Sequence, residues 1–552
     1  MTQAPITTPL EPLLKWTGHP LADVGVATIC AMVNKTDPTA VTEEDLDEVG
    51  TQLRAAYNQG IMLSYLSCIF PNSAYVNPTM KDCSKEVAVR RLLSPHRGDA
   101  DPGTETLRCV FSRQPATRLL ERSQMPMLTG ADVMNFFPSG RSDLCVAGPY
   151  LLAIQALALG GRRSEGKLLI VHCDNPDWTL RFANRYLSRN RVLLDLARTA
   201  QLPDRDGPHE MLERECAGWD NQKKRAKYPD AKAPTSLLMD DLLEIVTDAS
   251  TGSMAKSPSS VTAYLMSNSG QGPSLAIEHI PGEFVSFLQE LAGPKYASRW
   301  KQLVARCWRS AKAGESEEAA APSDQPSSPP TKRGAKKPKP AKSTVPPGPG
   351  RSRNELYNDL LPIFETGTRN WHAATKFIRR HLLSDPNRLI YSDKAPPSRN
   401  GPPRFSAEQL ELIDWELTSL FLERVLGMNS DRLKKLREFA DRLATLINDH
   451  NDKSLFRGLV FTSSEYEYRG LLTKVQRRYA HERNQLLLGL DDYLDLFMSS
   501  DSDEPVHWSL IRDLISIRLV ESLFHKKFFD RTGNAEVLDP SEDPAREPAS
   551  AT

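Results

Sequence analysis

Two residues that could perform chemistry, His19 and Asp23, lie four positions apart in the segment WTGHPLADVGVATICAM. On a helix this spacing places both side chains on one face. A zinc site would need a third ligand, and acid–base catalysis would need a nucleophile or a water molecule held nearby. A structural role explains more of the segment. Gly18 permits a turn, Pro20 suits the first helical position, and Asp23 adds negative charge near the helix N-terminus. We therefore predict that the pair begins a helix over residues 20–33.

A second candidate group, His172, Cys173 and Asp174, follows the apolar run LLIV, which predicts a short buried strand over residues 168–171. Active residues often lie at strand ends, but the chain contains no Gly-x-Ser-x-Gly elbow, no P-loop and no Gly-x-Gly-x-x-Gly motif. A partly buried structural histidine is therefore favoured. The alternative is a metal-dependent hydrolase or nuclease whose site would require four residues to converge: His19, Asp23, His172 and Asp174.

Basic residues with aromatic neighbours form the stronger signal in the N-terminal half. In LRFANRYLSRNRVLLDLAR, arginines recur every four positions and so share one helix face, with Phe182 and Tyr186 alongside. The segment WDNQKKRAKYPDAK adds a basic loop. Guanidinium and ammonium groups suit phosphates, and aromatic faces suit unstacked bases, although a solvated helix face remains open. The predicted nucleic-acid contacts here are Arg181, Arg185, Arg189, Arg191, Lys223, Lys224, Arg225 and Lys227.

The C-terminal half is predicted to be mainly helical. In MNSDRLKKLREFADRLATLIND the apolar residues step by three and four positions from Leu433 to Ile447, which indicates one buried stripe. Two later segments repeat this pattern, so a helical bundle is the simplest packing. Basic residues on these helices could guide a single strand. They are Arg432, Lys435, Lys474, Arg477 and Arg478.

Bulk composition sets limits on the partners. Lys+Arg and Asp+Glu both number 70, so any nucleic acid would have to be met by local basic patches. The eight cysteines are scattered without a Cys-x-x-Cys pair or a zinc-like spacing, and we expect them to be reduced. Because the sequence shows no signal peptide and no apolar run long enough to cross a bilayer, we expect a cytoplasmic protein with no membrane contact. We also expect no metal and no cofactor.

Composition also predicts the organisation of the chain. Residues 314–350 are rich in Pro, Ala, Ser and Lys and almost lack large apolar side chains, which is typical of a flexible linker. The predicted fold class is an α+β N-terminal lobe with a mainly α-helical C-terminal bundle, joined by a disordered linker. The predicted bounds are 1–310 for the lobe, 311–350 for the linker, 351–530 for the bundle and 531–552 for a disordered tail.

The order of several short motifs resembles a known family. After WTGHPLADVGVATICAM come a Thr-x-Glu-x-x-Leu helix, then YLSCIFPNSAYVNPTMKD, then NFFPSGRSDLCVAGPYLLAIQALALGGRRSEGKLLIVHCDNP and ANRYLSRNR. This order is similar to the large subunit of type I CRISPR effector complexes (Cascade), in the type I-A/I-B and Myxococcus-like branch. The resemblance covers roughly residues 15–200, and the C-terminal bundle matches by architecture alone.

The resemblance implies a subunit that is not an enzyme. It would help recognise the short motif flanking the target in duplex DNA, promote unwinding, and hold the displaced strand with its helical part, while the guide RNA reads the sequence. Implied partners are the guide RNA, the backbone, handle-binding and small subunits, target double-stranded DNA with its displaced single strand, and a helicase-nuclease or transposition proteins recruited afterwards. Loop residues that could contact the flanking motif or RNA handle are Asn72, Asn77 and Arg141. A scaffolding protein whose basic faces meet acidic partners is a further alternative.

Overall fold

In a computed structural model the N-terminal half combines helices with small antiparallel sheets and the C-terminal part is helical, which confirms the predicted fold class. The predicted linker over 311–350 lies outside the described residues. The structure describes residues 11–71, 73–77, 79–128, 143–200, 219–220, 225–226, 228–230, 233–250, 258, 260–268, 273–310, 351–364, 370–382, 415–462, 464–497, 508–534 and 537.

The helices and strands are numbered here in chain order. The helices are α1 Pro20–Met32, α2 Glu43–Tyr57, α3 Leu63–Ile69, α4 Asp82–Leu93, α5 Gly148–Ala156, α6 Pro176–Ala200, α7 Pro234–Ser250, α8 Gly282–Ala292, α9 Ala297–Arg306, α10 Glu355–Leu360, α11 Trp371–Phe377, α12 Trp415–Arg424, α13 Ser430–His450, α14 Lys453–Phe461, α15 Glu465–Arg483, α16 Leu490–Phe497 and α17 Trp508–His525. The strands are β1 Arg118–Leu120, β2 Leu144–Val146, β3 Arg162–Ser164, β4 Lys167–Cys173, β5 Trp219–Asp220, β6 Arg225–Ala226, β7 Ser260–Ser267, β8 Ser274–Pro281, β9 Trp308–Ser310 and β10 Arg351–Asn354. Short 3₁₀ turns cover Pro38–Ala40, Gly60–Met62 and Leu361–Ile363, and a π-helical turn covers Ile378–Leu382.

The chain divides into two compact units. The first contains Met1–Ala249, Ser253–His279 and Val304–Tyr357, and the second contains Ser250–Gly252, Ile280–Leu303 and Asn358–Thr552. The sequence predicted that the chain crosses from one domain to the other once, at residues 311–350. In the structure, segments of the two units alternate along the chain.

The first unit is built around α1, which is buried on every side from Leu21 to Met32. A helix that is apolar all round must be surrounded by other elements, and α1 packs against α5, α6 and β4. Gly25 makes the contact with α5 possible, because a Cβ atom at this position would lie 2.2 Å from the Ala153 carbonyl oxygen. The sequence prediction of a helix at residues 20–33 is confirmed to within one residue.

The main sheet has the strand order β3-β4-β7-β8. The central strand β4 pairs antiparallel with β7, so that Ile170 faces Tyr264 and His172 faces Thr262. β4 is buried from Leu168 to Val171, which confirms the predicted strand. This strand therefore carries His172 up to the N-terminus of α1.

The second unit has its own core. In α13 the predicted apolar stripe is buried, with Leu436, Ala440, Leu443 and Ile447 wholly inaccessible. This helix packs against α14, α16 and α17. Aromatic rings join α8 to distant helical segments: Phe284 lies 5.0 Å from Phe364, and Phe287 lies 6.0 Å from Phe421, centroid to centroid. These contacts explain why residues 280–303, assigned by the sequence to the first lobe, belong to the helical unit.

Two further domain boundaries differ from the prediction. Strand β10 pairs antiparallel with β9, so residues 351–354 belong to the first unit rather than to the helical bundle. Asn354 anchors this return, because its side chain donates to the Val304 carbonyl and its backbone N–H donates to Ser236 Oγ. At the other end, the predicted disordered tail begins with an ordered turn in which Asn534 is fully buried and donates to the Phe528 carbonyl.

Candidate nucleic-acid interface

Helix α15 presents the most distinct basic surface in the described residues. Ser464 caps its N-terminus by accepting a hydrogen bond from the Glu467 backbone, and Asn484 ends it in the left-handed conformation with φ of 51°. Its buried stripe is Tyr468, Leu472 and Val475, at steps of four and three residues. Burial of this stripe fixes which side chains the opposite face shows to solvent.

The opposite face of α15 carries a row of exposed residues, Tyr466, Gly470, Thr473, Lys474, Arg477 and His481, which we call the α15 row. The Tyr466 residue is 87% exposed. Lys474 and Arg477 form no ion pair or hydrogen bond with any residue that the structure describes. The row contains no acidic residue, and Glu465 and Glu467 flank Tyr466 in the first turn. Two free cations on the same helix face as an exposed aromatic ring are groups of the kind that bind a nucleic-acid single strand.

Two other cations predicted in this unit form ion pairs with carboxylates of the same unit. Lys435 forms ion pairs with Asp492 and Asp495, at 3.2 and 2.9 Å, and these carboxylates raise the pKa of its ammonium group. The guanidinium of Arg478 is similarly shared between Asp452 and Glu482, at 2.6 and 2.9 Å. Both side chains are therefore less available to a phosphate than Lys474 and Arg477 are.

The position of Arg432 differs from the prediction. It is only 6% exposed and donates a hydrogen bond of 2.9 Å to the Leu496 carbonyl at the end of α16. The prediction that this guanidinium guides a strand is wrong, because the side chain points into the helical unit and satisfies a carbonyl at a helix C-terminus.

The arginines predicted on α6 have unequal surroundings. Arg185 is bound to Asp241, at 3.2 Å, and to Glu244. Arg191 lies on another side of the helix and donates to Gln52 at 3.0 Å. Arg181 and Arg189 both line a groove between α6 and α7, and Arg181 has no hydrogen bond or ion pair within the described part of the chain.

Several predicted contacts cannot be placed. Asn72, Arg141, Lys223, Lys224 and Lys227 lie outside the described residues, and Arg225 is described only as part of strand β6. A further weak candidate, Asn77, accepts hydrogen bonds from the backbone and hydroxyl of Thr79, at 3.0 and 2.7 Å. The Asn77 side chain therefore closes its own turn.

The His19 and Asp23 pair has a structural explanation. The Asp23 carboxylate accepts from the Thr17 backbone at 2.7 Å, the Thr17 hydroxyl at 2.8 Å and the Gly18 backbone at 2.9 Å. His172 Nε2 lies 3.3 Å from the same carboxylate. Burial alone would raise the pKa of Asp23, but the hydrogen bonds from His172, Thr17 and Gly18 outweigh it and lower the pKa. The carboxylate thus fixes the turn that begins α1 and ties it to β4.

The four residues of the hydrolase alternative are not all brought together. Asp23 and His172 meet, but the His19 ring lies against Phe111, with centroids 4.9 Å apart, and Asp174 accepts from the Ser260 backbone at 3.1 Å. Among the residues that the structure describes, no group of three or more His, Cys, Asp or Glu side chains has an arrangement that could hold a metal ion.

Sequence reasoning missed Tyr466 and His481 as members of the α15 row. The signal was present in EYEYRGLLTKVQRRYAHER, where Tyr466, Gly470, Thr473, Arg477 and His481 follow one another at helical steps. Which face of this helix is buried, however, depends on contacts such as Tyr468 against Trp508, whose ring centroids are 6.1 Å apart.

Comparison with known proteins adds no family assignment: no protein-family model matches the chain, and neither curated proteins nor solved structures give a match. Within the described ranges, none of the helices combines the length and the apolar character needed to cross a bilayer.

Proposed function

We propose that this chain is a non-catalytic nucleic-acid-binding subunit of an RNA-guided DNA-targeting complex. In this role it helps recognise the flanking motif and open the duplex, and its helical unit holds the displaced single strand. The observation that carries the proposal is the α15 row, where Lys474 and Arg477 are exposed on the same face as Tyr466 and have no partner among the described residues. The proposed biological setting comes from the motif order, which resembles that of the Cascade large subunit.

The chemistry of the row favours a single strand over a duplex. Arg477 follows Tyr466 by eleven positions, which is about 16 Å along a helix axis. A flexible strand can lie along this distance with one base stacked on the Tyr466 ring and its phosphates beside the two cations. In a duplex the bases are already stacked on one another, so the tyrosine ring would have no base face to contact.

Salt-dependent binding tests the proposal. We expect the full chain to bind a fluorescently labelled single strand more tightly than the duplex of the same sequence, as measured by anisotropy between about 50 and 200 mM salt. Each phosphate contact should add about 0.7 to the slope of log K against log salt for a single strand. Preferential binding of an acidic peptide, with no salt-dependent binding of either nucleic acid, would instead support the scaffolding alternative.

The metal-dependent hydrolase remains the second candidate from the sequence. It would use Asp23 and His172, which do meet, but it needs a third ligand. The contacts of Asp23 described above occupy both of its oxygens with donors from its own turn. We therefore favour the binding function.

A further inference from the structure

A groove between α6 and α7 in the first unit has the dimensions of a small-molecule site. Its volume is about 620 Å³, within the range of roughly 300 to 1,000 Å³ that is typical of ligand pockets. One wall comes from α6 and the other from α7, where Ile245 and Asp248 lie. A nucleic-acid duplex is far too wide for such a space, whereas a single nucleotide is of suitable size.

The α6 wall of this groove carries a line of donors. Arg181, Asn184 and Ser188 follow one another at steps of three and four residues, so they share one face of the helix. None of the three has a hydrogen-bond partner or ion pair in the described part of the molecule. A guanidinium, an amide and a hydroxyl in a row can together bind the oxygens of one phosphate group and its sugar.

The opposite wall does not repel an anion as strongly as its carboxylates suggest. Asp241 is held by two guanidiniums, with Arg162 at 2.9 Å and Arg185 at 3.2 Å. The Arg162–Asp241 pair is buried and the Arg185 side chain is partly exposed, so two guanidiniums compensate the Asp241 charge. Beyond it, Ile245 and Tyr186 border the groove but are only 4% and 1% exposed. Asp248 also lines the groove, and its carboxylate oxygens can accept from a ribose hydroxyl or a base amino group.

We infer that this groove binds one nucleotide unit, with the phosphate and sugar on Arg181, Asn184 and Ser188 and the base towards Asp248. The ligand is either a free nucleoside 5′-monophosphate or one nucleotide extruded from a strand, and both present the same chemistry. The site belongs to the other unit of the chain from the α15 row, so each can fail without the other.

Titration of the full chain tests the free-nucleotide source. We expect isothermal titration with AMP, CMP, GMP and UMP to show one site, and Arg181→Ala to weaken it at least about tenfold, since a hydrogen bond to a charged group is lost. Ser188→Asp, which places a negative charge at an exposed position of the groove, should abolish binding. The matched control is Arg198→Ala on the same helix, where the arginine is exposed and paired with Asp195, and it should leave the affinity unchanged.

Photo-crosslinking tests the strand source. A single strand containing 4-thiouridine should crosslink to α6 peptides near residues 182–189 in the wild type and in Arg198→Ala, but not in Arg181→Ala or Ser188→Asp. Either the mononucleotide site or this crosslink, with the stated dependence on Arg181, supports the inference and identifies the source. The inference is overturned if neither is observed, or if Arg198→Ala has the same effect as Arg181→Ala while all variants keep the wild-type circular dichroism spectrum.

Discussion

Replacing Lys474 and Arg477 with glutamate is expected to weaken single-strand binding by the full chain about 100-fold or more. Each substitution removes a charge-assisted contact to a phosphate, worth about 1.5 to 3 kcal/mol, and adds a repulsive charge. Because both side chains are exposed and have no partner in the described structure, the change should not disturb the helical unit. Anisotropy at several salt concentrations measures both the affinity and the salt slope, which should fall by about 1.4 for two lost contacts.

The same helical unit provides a matched control for this change. Lys434 and Arg437 on α13 are also exposed, lie three positions apart and have no partner among the described residues. Lys434→Glu with Arg437→Glu therefore makes the same change in net charge. We expect this variant to bind nearly as well as the wild type. Equal losses in both double variants would mean that overall charge, not the α15 row, determines binding.

Replacing Asp23 with alanine is expected to lower the free energy of unfolding of the first unit by about 2 to 4 kcal/mol. The carboxylate is 4% exposed, and its loss leaves the Thr17 and Gly18 backbone N–H groups without their acceptor. Urea denaturation measures the change in unfolding free energy, and hydrogen–deuterium exchange of the α1 amides shows whether the loss is local. Since the folded protein lowers the pKa of Asp23, its contribution is present above the ordinary carboxyl pKa and is lost as pH falls through the lowered value. The stability difference between the variant and the wild type should therefore shrink in acid.

Two variants separate this structural role from the metal-site alternative. Asp23→Asn keeps one carbonyl acceptor and should have an intermediate effect, whereas His19→Ala changes a solvent-exposed residue and should have little effect on unfolding. The metal-site alternative makes different predictions. The purified chain would contain a divalent ion by elemental analysis, and Asp23→Ala and His19→Ala would both lose it. That result would contradict our account of the turn.

Local sequence patterns were sufficient to predict two buried elements of the first unit. The mainly apolar segment after Pro20 predicted α1, and the run LLIV predicted β4. Domain boundaries were less predictable because they depend on long-range pairing. The pairing of β10 with β9 and the aromatic contacts of α8 join residues that are far apart in sequence. The local composition of a segment does not indicate such contacts.

The candidate interface shows the same limit. Residue type and spacing identified Lys474 and Arg477, but the same reasoning included Arg432, which is buried. Periodicity shows that a helix has two faces, and only the packed partner decides which face is covered. For α13 that partner includes the end of α16, whose Leu496 carbonyl binds the Arg432 guanidinium.

We expect the chain to work as a nucleic-acid-binding subunit within an RNA-guided complex, and co-purification with its partners tests this role. The tagged full chain would be expressed together with the proteins encoded beside it, purified, and analysed for bound RNA and for binding to a matching duplex. Our account predicts a multi-protein complex with a stoichiometric short RNA and guide-dependent, salt-sensitive binding of the duplex. A chain that purifies without RNA, binds no duplex and retains a divalent metal ion would contradict it.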